Sequence, residues 1–570
     1  MRPSLALTAV LLASIFAART APSAKASGAA PAAAPAAFTD VTARAGVTFV
    51  HNNGAFGKKY LPETIGSGVI VFDIDGDGWS DALFVNSTNW PGRSGSRTTA
   101  ALYRNNRDGT LSDVTKGSGV DVELYGIGGS AGDFDNDGRT DVYLTALNGN
   151  RLFRNLGGGK FADVTRAAGV GSGGFSSSAL WFDYDTDGRL DLFVAHYVDW
   201  SIDKDLFCTI DGKNKSYCTP ESYKGQSPTL YRNRGNGMFE DVTKAAGVLD
   251  PTSKGLGVAM LDYDGDGRID LFVANDTEPN RLFRNRSNGT FVDVAIGAGL
   301  AFSEAGVARA GMGVDAVDYD GSGRPSLIIG NFSNEMMALY HNEGTGIFID
   351  EAPRSAIGRS SLLTLTFGCF FFDYDLDGRP DIFAANGHVA DDIERLQSRV
   401  TYAQRPHLFR NVGKGFEALD PQAAGLQQAV VARGAAYADY DNDGDLDIFV
   451  TTNRGPARIF RNDSRHANHV LRVQAIGTSS NRDGIGARVE LQLAGGSKPW
   501  QIVKTGSSYA SQSELTLTFG LGPQTSVNGI RVTWPNGKTE ITGAIKADQT
   551  VTLKEGAGVL RTAPIQRGTR

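Results

Sequence analysis

Aspartate returns along this chain in a fixed nine-residue frame, at positions 1, 3, 5 and 9 around a glycine at position 6, and no other feature constrains the fold as much. Six copies are intact: Asp73, Asp75, Asp77 and Asp81; Asp133, Asp135, Asp137 and Asp141; Asp183, Asp185, Asp187 and Asp191; Asp262, Asp264, Asp266 and Asp270; Asp373, Asp375, Asp377 and Asp381; Asp439, Asp441, Asp443 and Asp447. A weakened copy keeps Asp318 and Asp320 but has Ser322 and Ser326 at positions 5 and 9. Successive copies start 50 to 79 residues apart, and a period of that size marks a repeat architecture.

Two satellite patterns keep the same beat. A Phe-x-Asp-Val-Thr-like strand leading to an Ala-Gly-Val turn precedes the loops, as at Phe38, Phe161, Phe239 and Phe291. An apolar strand and then a Leu-Tyr/Phe-Arg-Asn strand follow them, at Leu102, Leu152, Leu230, Leu282, Leu408 and Ile459, with Leu339 opening a variant that reads Leu-Tyr-His-Asn. Each unit therefore holds about four short Val-, Phe- and Leu-rich strands with Gly-rich turns and no helical period. Such a unit cannot cover both faces of its own sheet, so neighbours must stack on it. The expected fold is all-β, a seven-bladed β-propeller over residues 38–462, because radial closure protects strand edges; an open β-solenoid is the alternative.

The loops carry the chemistry. Alternate spacing aims four carboxylates at one centre, and Gly at position 6 permits the sharp turn. At about 4 Å and an effective dielectric near 20, each like-charge pair costs roughly 4 kcal/mol, so a cation is required. All-oxygen donors on a flexible loop favour Ca²⁺ over Mg²⁺ or Zn²⁺. The expected ligands are the four Asp of each intact loop, with position 7 (Trp79, Arg139, Arg189, Arg268, Arg379, Asp445) giving its backbone carbonyl and turning its side chain to solvent. About six Ca²⁺ sites result, with a degenerate seventh at Asp318 and Asp320. Each loop is closed by its own ligands, so a structural metal is expected rather than a catalytic one.

Composition sets the outer bounds. Gly is 71 of 570 residues, as many loops and turns require; 56 basic against 63 acidic residues leave no basic footprint for nucleic acid. Arg2 and the apolar run Leu5 to Ala18, with Ala24-Lys25-Ala26 as a small-x-small site, read as a signal peptide over 1–26, followed by an Ala/Pro-rich linker over 27–37. Removing that leader takes the net charge from -7 to -10. No later segment has 18 uninterrupted apolar residues, so no transmembrane helix is expected. Cys208 and Cys218 stand ten apart in a polar excursion and are expected to pair; Cys369, in an apolar stretch, reads as a buried inert thiol.

At these residues the chain resembles the FG-GAP/VCBS repeat proteins, whose calcium loops sit in β-propellers like that of the integrin α subunit. The segment after them carries Ser480-Asn-Arg-Asp483-Gly-Ile-Gly-Ala487, Tyr509-Ala-Ser-Gln512, Phe519-Gly-Leu-Gly522 and Trp534-Pro-Asn-Gly537, in an order that resembles the ASPIC/UnbV domain. Together they resemble the cartilage acidic protein family. Val470, Thr518 and Ser507 depart from that domain's usual residues. Short strands read at 470–475, 487–493, 501–504, 515–519, 530–534 and 550–553 give a small β-sandwich over 468–555, with a flexible tail over 556–570. The resemblance implies an extracellular calcium-binding module.

The function expected from these readings is that of a secreted or periplasmic, monomeric, calcium-stabilised binding, adhesion or scaffold protein with an extracellular glycan or protein as ligand. Asn275 to Asn280, Asn331 to Glu335 and Asn386 to His388 follow the apolar strands and are placed to cluster on one face, unless they only close turns. The alternative is a propeller-based polysaccharide lyase or hydrolase. The seven His (His51, His196, His341, His388, His407, His466, His469) are scattered and no Gly-x-Ser-x-Gly, His-Glu-x-x-His or phosphate loop occurs, so no catalytic residue is assigned.

Overall fold

Burial falls outward along each repeat, and that gradient explains the sheets. In the first repeat Val69–Phe72 and Asp81–Phe84 are buried along their whole length, Ala101–Asn105 alternates, and Leu111–Asp113 is half open. These four strands pair antiparallel in sequence order, with the acidic loop joining the first to the second. The computed structural model describes residues 37–209 and 212–566, and among them seven four-stranded sheets share this plan. The expected signal peptide and nearly all of the linker lie outside the described residues.

The first strands of the seven sheets, Val69–Phe72, Gly126–Gly132, Ser176–Phe182, Gly255–Leu261, Val314–Val317, Thr366–Phe372 and Ala432–Ala438, neighbour one another in that order. The last packs against the first, so the ring is closed and the fold is a β-propeller, not an open solenoid. The sequence unit and the sheet are offset by one strand, because each Phe-x-Asp strand completes the preceding sheet. Phe38–Asp40 accordingly pairs with Arg458–Asn462 and finishes the seventh sheet, which ties the two ends of the propeller together.

The C-terminal domain is a sandwich of two four-stranded sheets. One holds Leu517–Gly522, His469–Ile476, Gln549–Lys554 and Gly558–Pro564; the other holds Trp500–Ile502, Arg488–Gln492, Gly529–Thr533 and Thr539–Ile541. Gly558–Pro564 corrects the expected flexible tail: it is an edge strand paired with Gln549–Lys554. Its side chains are mostly exposed, so it shows no apolar alternation to read.

A segment of this domain fills the propeller's axis. Thr505 bonds Trp181 on the third sheet, Ser507 bonds Val258 on the fourth, and Ser508 bonds Val314 on the fifth. Ala510 accepts from Gly129 on the second, Gln512 exchanges main-chain bonds with Val69 and Val71 on the first, and Ser513 accepts from Tyr437 on the seventh. The Tyr509 ring meets Phe367 of the sixth at 4.9 Å. Glycine on the inner strands makes room: a Cβ at Gly68 would stand 1.8 Å from the Ala510 carbonyl oxygen. Sandwich residues Val473 and Phe519 and propeller residues Trp181 and Val258 belong to one continuous core.

Cys208 and Cys218 are disulfide-bonded, closing the excursion between the second and third strands of the third sheet. Cys369 is fully buried, and burial pushes its thiol far above the usual range, the inert state expected of it.

Candidate metal centres

Each acidic loop folds around its own backbone amides. The position 1 carboxylate accepts the N–H of position 5 on Oδ1 and that of the position 6 glycine on Oδ2, as Asp133 does from Asp137 at 3.0 Å and from Gly138 at 2.7 Å. That turn needs the left-handed region at position 6, where the seven glycines have φ of 82° to 97°. The position 9 carboxylate is anchored from both sides: Asp141 accepts from Phe134 at 3.2 Å and from Asn155 at 2.7 Å.

Positions 1, 3 and 9 converge. Asp73, Asp75 and Asp81; Asp133, Asp135 and Asp141; Asp183, Asp185 and Asp191; Asp262, Asp264 and Asp270; and Asp373, Asp375 and Asp381 each bring three carboxylate oxygens within 4.8 Å of one another. These groups could hold a metal ion. The position 3 carboxylate keeps one oxygen in reserve: Oδ1 of Asp135, Asp185 and Asp375 is buried with no hydrogen-bond partner, as is Oδ1 of Asp318 at position 1 of the degenerate loop. A buried acceptor without a donor costs about 1 to 3 kcal/mol, and a divalent cation answers it, so the donor set fits the ion.

Electrostatics agree. Burial, reinforced by neighbouring carboxylates, pushes Asp133 and Asp183 up to about 7 and Asp270 up to about 8. Asp141 is pushed up to about 9, while Asp191, Asp373 and Asp381 rise well above the carboxylate range. Without a cation such loops take up protons instead.

Position 5 does not join the triads. Asp137, Asp187, Asp266 and Asp377 each pair with the arginine two residues on, Arg139, Arg189, Arg268 and Arg379. Those arginines were expected to face solvent, and their side chains are 31% to 42% exposed. Each also folds along the loop, its Nε donating to the carbonyl of the following Asn155, Asn233, Asn285 or Asn411. In the first loop Trp79 cannot do this, and Arg107 pairs with Asp77 at 2.6 Å.

The Leu-Phe-Arg-Asn strands supply two further roles that the motif announced without explaining. Their arginines steady position 3: Arg154 lies 2.6 Å from Asp135, Arg284 2.9 Å from Asp264 and Arg410 2.9 Å from Asp375. Their asparagines link the loops in a ring. Asn155 donates to the carbonyl of Ile74, Asn233 to Phe134, Asn285 to Tyr184, Asn342 to Tyr263, Asn411 to Tyr319, Asn462 to Tyr374 and Asn105 to Tyr440, each reaching position 2 of the preceding loop. Asn285→Ala is expected to cost about 2 to 4 kcal/mol in urea unfolding, since it strands the Tyr184 carbonyl and the Ser287 amide; a loss below about 1 kcal/mol would discount the ring.

The degenerate loop is built differently. Ser326 replaces the position 9 carboxylate as acceptor for Asn342 at 3.1 Å, and His341, the variant residue of its strand, lies 2.9 Å from Asp320 and 2.8 Å from Glu343. Those carboxylates raise the His341 pKa against the opposing effect of burial. Nearby, Lys504 of the C-terminal domain pairs with the fully buried Asp315. Protein cations thus neutralise this stretch.

The C-terminal domain sits on the loop face. Asp483 accepts the Asp133 amide at 2.7 Å, Arg482 donates its amide to Asn136 at 2.8 Å, and Asn468 donates to the Asp375 carbonyl at 2.8 Å. In the last intact loop Asp439 lies 3.0 Å from Arg472, which also pairs with Glu514; all three are buried. Asp445 donates its amide to Asp443 at 3.3 Å. Arg482 and Asp483 of the first C-terminal motif are therefore interface residues, whereas Asn536 of the Trp-Pro-Asn-Gly motif bonds Glu555 within its own domain.

The polar segments expected to cluster lie at the far ends of the second strands, away from the acidic loops. Two of them close their own turns, Asn275 bonding Pro279 and Asn331 bonding Met336, while Asn386 reaches across a longer connection to the Arg405 carbonyl. Among the histidines, burial pushes His51 down to about 3 and His196 and His407 down to about 4, leaving them neutral.

Comparison with known sequences matches this architecture. The FG-GAP-like repeat profile fits residues 73–144, 133–194, 203–273, 262–329 and 318–384, just over half of the chain, and the ASPIC and UnbV profile fits 477–560. The chain belongs to the FG-GAP-like repeat proteins, with an ASPIC and UnbV domain at its C-terminal side. Cartilage acidic protein 1 of Mus musculus and of Homo sapiens are both 28% identical to it over 312 residues, 54% of this chain and 45% and 44% of theirs. The chain thus spans a little under half the length of the curated relatives it matches. Solved structures with partial similarity include an Agrocybe aegerita lectin that recognises non-reducing terminal N-acetylglucosamine, with a TM-score of 0.36, 15% identity, and coverage of 69% of this chain and 87% of that one. Another is BBS1N in complex with ARL6DN, with a TM-score of 0.41, 9% identity, and coverage of 76% and 99%. Among the described residues no helix is long and apolar enough to cross a membrane.

Proposed function

We propose that this chain is a secreted, calcium-stabilised binding or scaffold protein. The observation that carries the reading is the set of unpartnered Oδ1 atoms of Asp135, Asp185 and Asp375, each on a carboxylate that belongs to a triad whose oxygens lie within 4.8 Å of one another. Positions 1, 3 and 9 would hold the ion, with position 5 and the position 7 carbonyl as the remaining expected donors, and all-oxygen ligation on a loop favours Ca²⁺. The bound ion supplies positive charge that holds the loop shut; the chain's amides and arginines orient the carboxylates around it. The disulfide, the leader read at 1–26 and the cartilage acidic protein relatives support an oxidising, extracellular setting.

Metal stoichiometry tests the assignment loop by loop. Wild-type protein is expected to bind about six Ca²⁺ by calorimetric titration, Asp375→Ala to bind one fewer with a melting temperature several degrees lower, and Asp318→Ala to keep the wild-type count. Equal losses for both variants would overturn the ranking of the loops, and a chain that binds no Ca²⁺ would overturn the proposal.

A further inference from the structure

In six of the seven sheets the outer strand ends on an aspartate, at the face away from the acidic loops: Asp113, Asp163, Asp241, Asp293, Asp350 and Asp40. Its Oδ1 accepts the main-chain amide two residues on, that of Thr115, Thr165, Thr243, Ala295, Ala352 or Thr42, at 2.9 to 3.0 Å. Its Oδ2 takes a guanidinium in four of the six. Arg151 lies 3.5 Å from Asp163, Arg281 3.5 Å from Asp293, Arg309 2.8 Å from Asp350 and Arg458 3.1 Å from Asp40, each time on that oxygen.

The first and third sheets lack this arginine. Arg151, Arg281 and Arg458 open the third strands of their sheets, and the residues in that place are Ala101 in the first sheet and Thr229 in the third. Among the described residues Asp113 and Asp241 form no ion pair, and a groove opens beside each. The groove at Asp113 measures about 490 Å³, with Thr99 and Thr115 in its wall; the one at Asp241 measures about 760 Å³, with Thr229 and Thr243. The cations already there do not replace the missing group. Arg97 turns to the Asp121 carbonyl at 2.7 Å and to Glu123 at 3.7 Å, while Lys116 and Lys244 line the grooves without pairing with the aspartate. In the second sheet Arg166 holds the place of those lysines, three residues after Asp163, and the pair with Arg151 forms all the same.

A single exposed carboxylate attracts any cation weakly, so the filled copies decide the class of ligand. There a planar fork shares itself between the carboxylate and nearby acceptors: Arg151 also donates to the carbonyls of Gly149 and Asn150, and Arg281 to the Thr252 hydroxyl at 3.3 Å. An ammonium has no such fork. Leu249, 53% exposed on the groove at Asp241, offers an apolar rim to the backbone that would carry the side chain.

We propose that the grooves at Asp113 and Asp241 each receive an arginine side chain of a partner polypeptide, in the place that the chain's own arginines take in the other sheets. The proposal rests on the reading of the chain as a binding protein and names the chemistry of its partner. Acetyl-Gly-Arg-Gly-amide is titrated into the full, calcium-loaded chain at about 0.15 M salt and followed by saturation-transfer NMR. Saturable binding with Kd of about 1 to 10 mM is expected, with acetyl-Gly-Lys-Gly-amide and ethylguanidinium each at least about threefold weaker. Asp113→Asn with Asp241→Asn, which keeps Oδ1 for the threonine amides and removes the charge, is expected to weaken the arginine peptide at least about tenfold. Ala101→Arg with Thr229→Arg supplies the arginine found in the other sheets and is expected to block both grooves to the same extent. Calcium stoichiometry stays unchanged in both pairs, and either pair suffices if the other fails to fold. No saturable binding below about 50 mM overturns the proposal, as does wild-type affinity in a folded double variant. A lysine peptide that binds equally well reduces the grooves to unselective charge and overturns it too, and equal binding of ethylguanidinium removes the polypeptide. A calcium response without peptide binding sinks this inference alone; peptide binding without a calcium response sinks the metal reading alone.

Discussion

Chelation with EDTA is expected to lower the melting temperature by about 10 to 15 °C, and added Ca²⁺ to restore it. A site loaded at about 100 times its Kd contributes roughly 2.7 kcal/mol, and six such sites outweigh the whole net stability of many domains. The shift is also expected to depend on pH in a defined sense. Asp133 and Asp183 are pushed up to about 7 in the folded, metal-free chain, against about 3.9 when unfolded. Protonation of such groups favours the fold below the unfolded value, and that contribution is lost as pH rises through 7. The metal-free chain is therefore expected to melt lower at pH 8 than at pH 5, while bound Ca²⁺ keeps the carboxylates ionised and the calcium-loaded chain changes less. Scanning fluorimetry from pH 5 to 8 with and without 5 mM Ca²⁺ measures the gap; a gap that does not widen with pH would contradict the assignment of these carboxylates as ligands.

Removing everything after Asn462 is expected to abolish cooperative folding of the propeller, not merely to trim it. The axial segment satisfies main-chain and side-chain groups on the inner strands, including the Val71 amide, the Trp181 amide and the Val314 amide, and its loss leaves the inner-strand glycines facing an empty channel. A subtler change reads the same contact. Tyr509→Ala deletes a fully buried ring against Phe367 and a hydroxyl donated to the Ile65 carbonyl at 2.7 Å, for an expected cost of about 3 to 5 kcal/mol by urea unfolding. Co-expression of the two halves as separate chains is expected to rescue the truncated propeller. A truncated chain that melts sharply near the wild-type temperature would show that the two domains are independent.

Legibility differed sharply between local and assembled features. The acidic loops were readable because a glycine at position 6 and carboxylates at 1, 3, 5 and 9 act within nine residues of chain, although the same spacing did not tell that position 5 turns to an arginine instead of joining the other three. The asparagine of Leu-Phe-Arg-Asn was visible as a pattern, but its partner lies in the preceding loop, about 80 to 100 residues away for Asn155 and Asn233, and no local rule gives that distance. Arg139 and its equivalents are partly in solvent as expected, but their pairing with position 5 was not given by spacing, which says nothing about which neighbour carries surplus charge. Gly558–Pro564 escaped because an edge strand open on its faces has no apolar period.

By itself, the sequence determined the repeat, the all-β character, the acidic loops and the family, since each rests on residue types at short fixed spacing; that only positions 1, 3 and 9 converge, and that Cys208 and Cys218 are bonded, came from the structure. Only the tertiary structure decided that the C-terminal domain covers the loop face and threads the axis, and that Arg472 and Lys504 bring charge to Asp439 and Asp315. Ring closure is the physical reason. It brings residues from the first and last sheets to one axis, and burial there fixes which polar groups find partners.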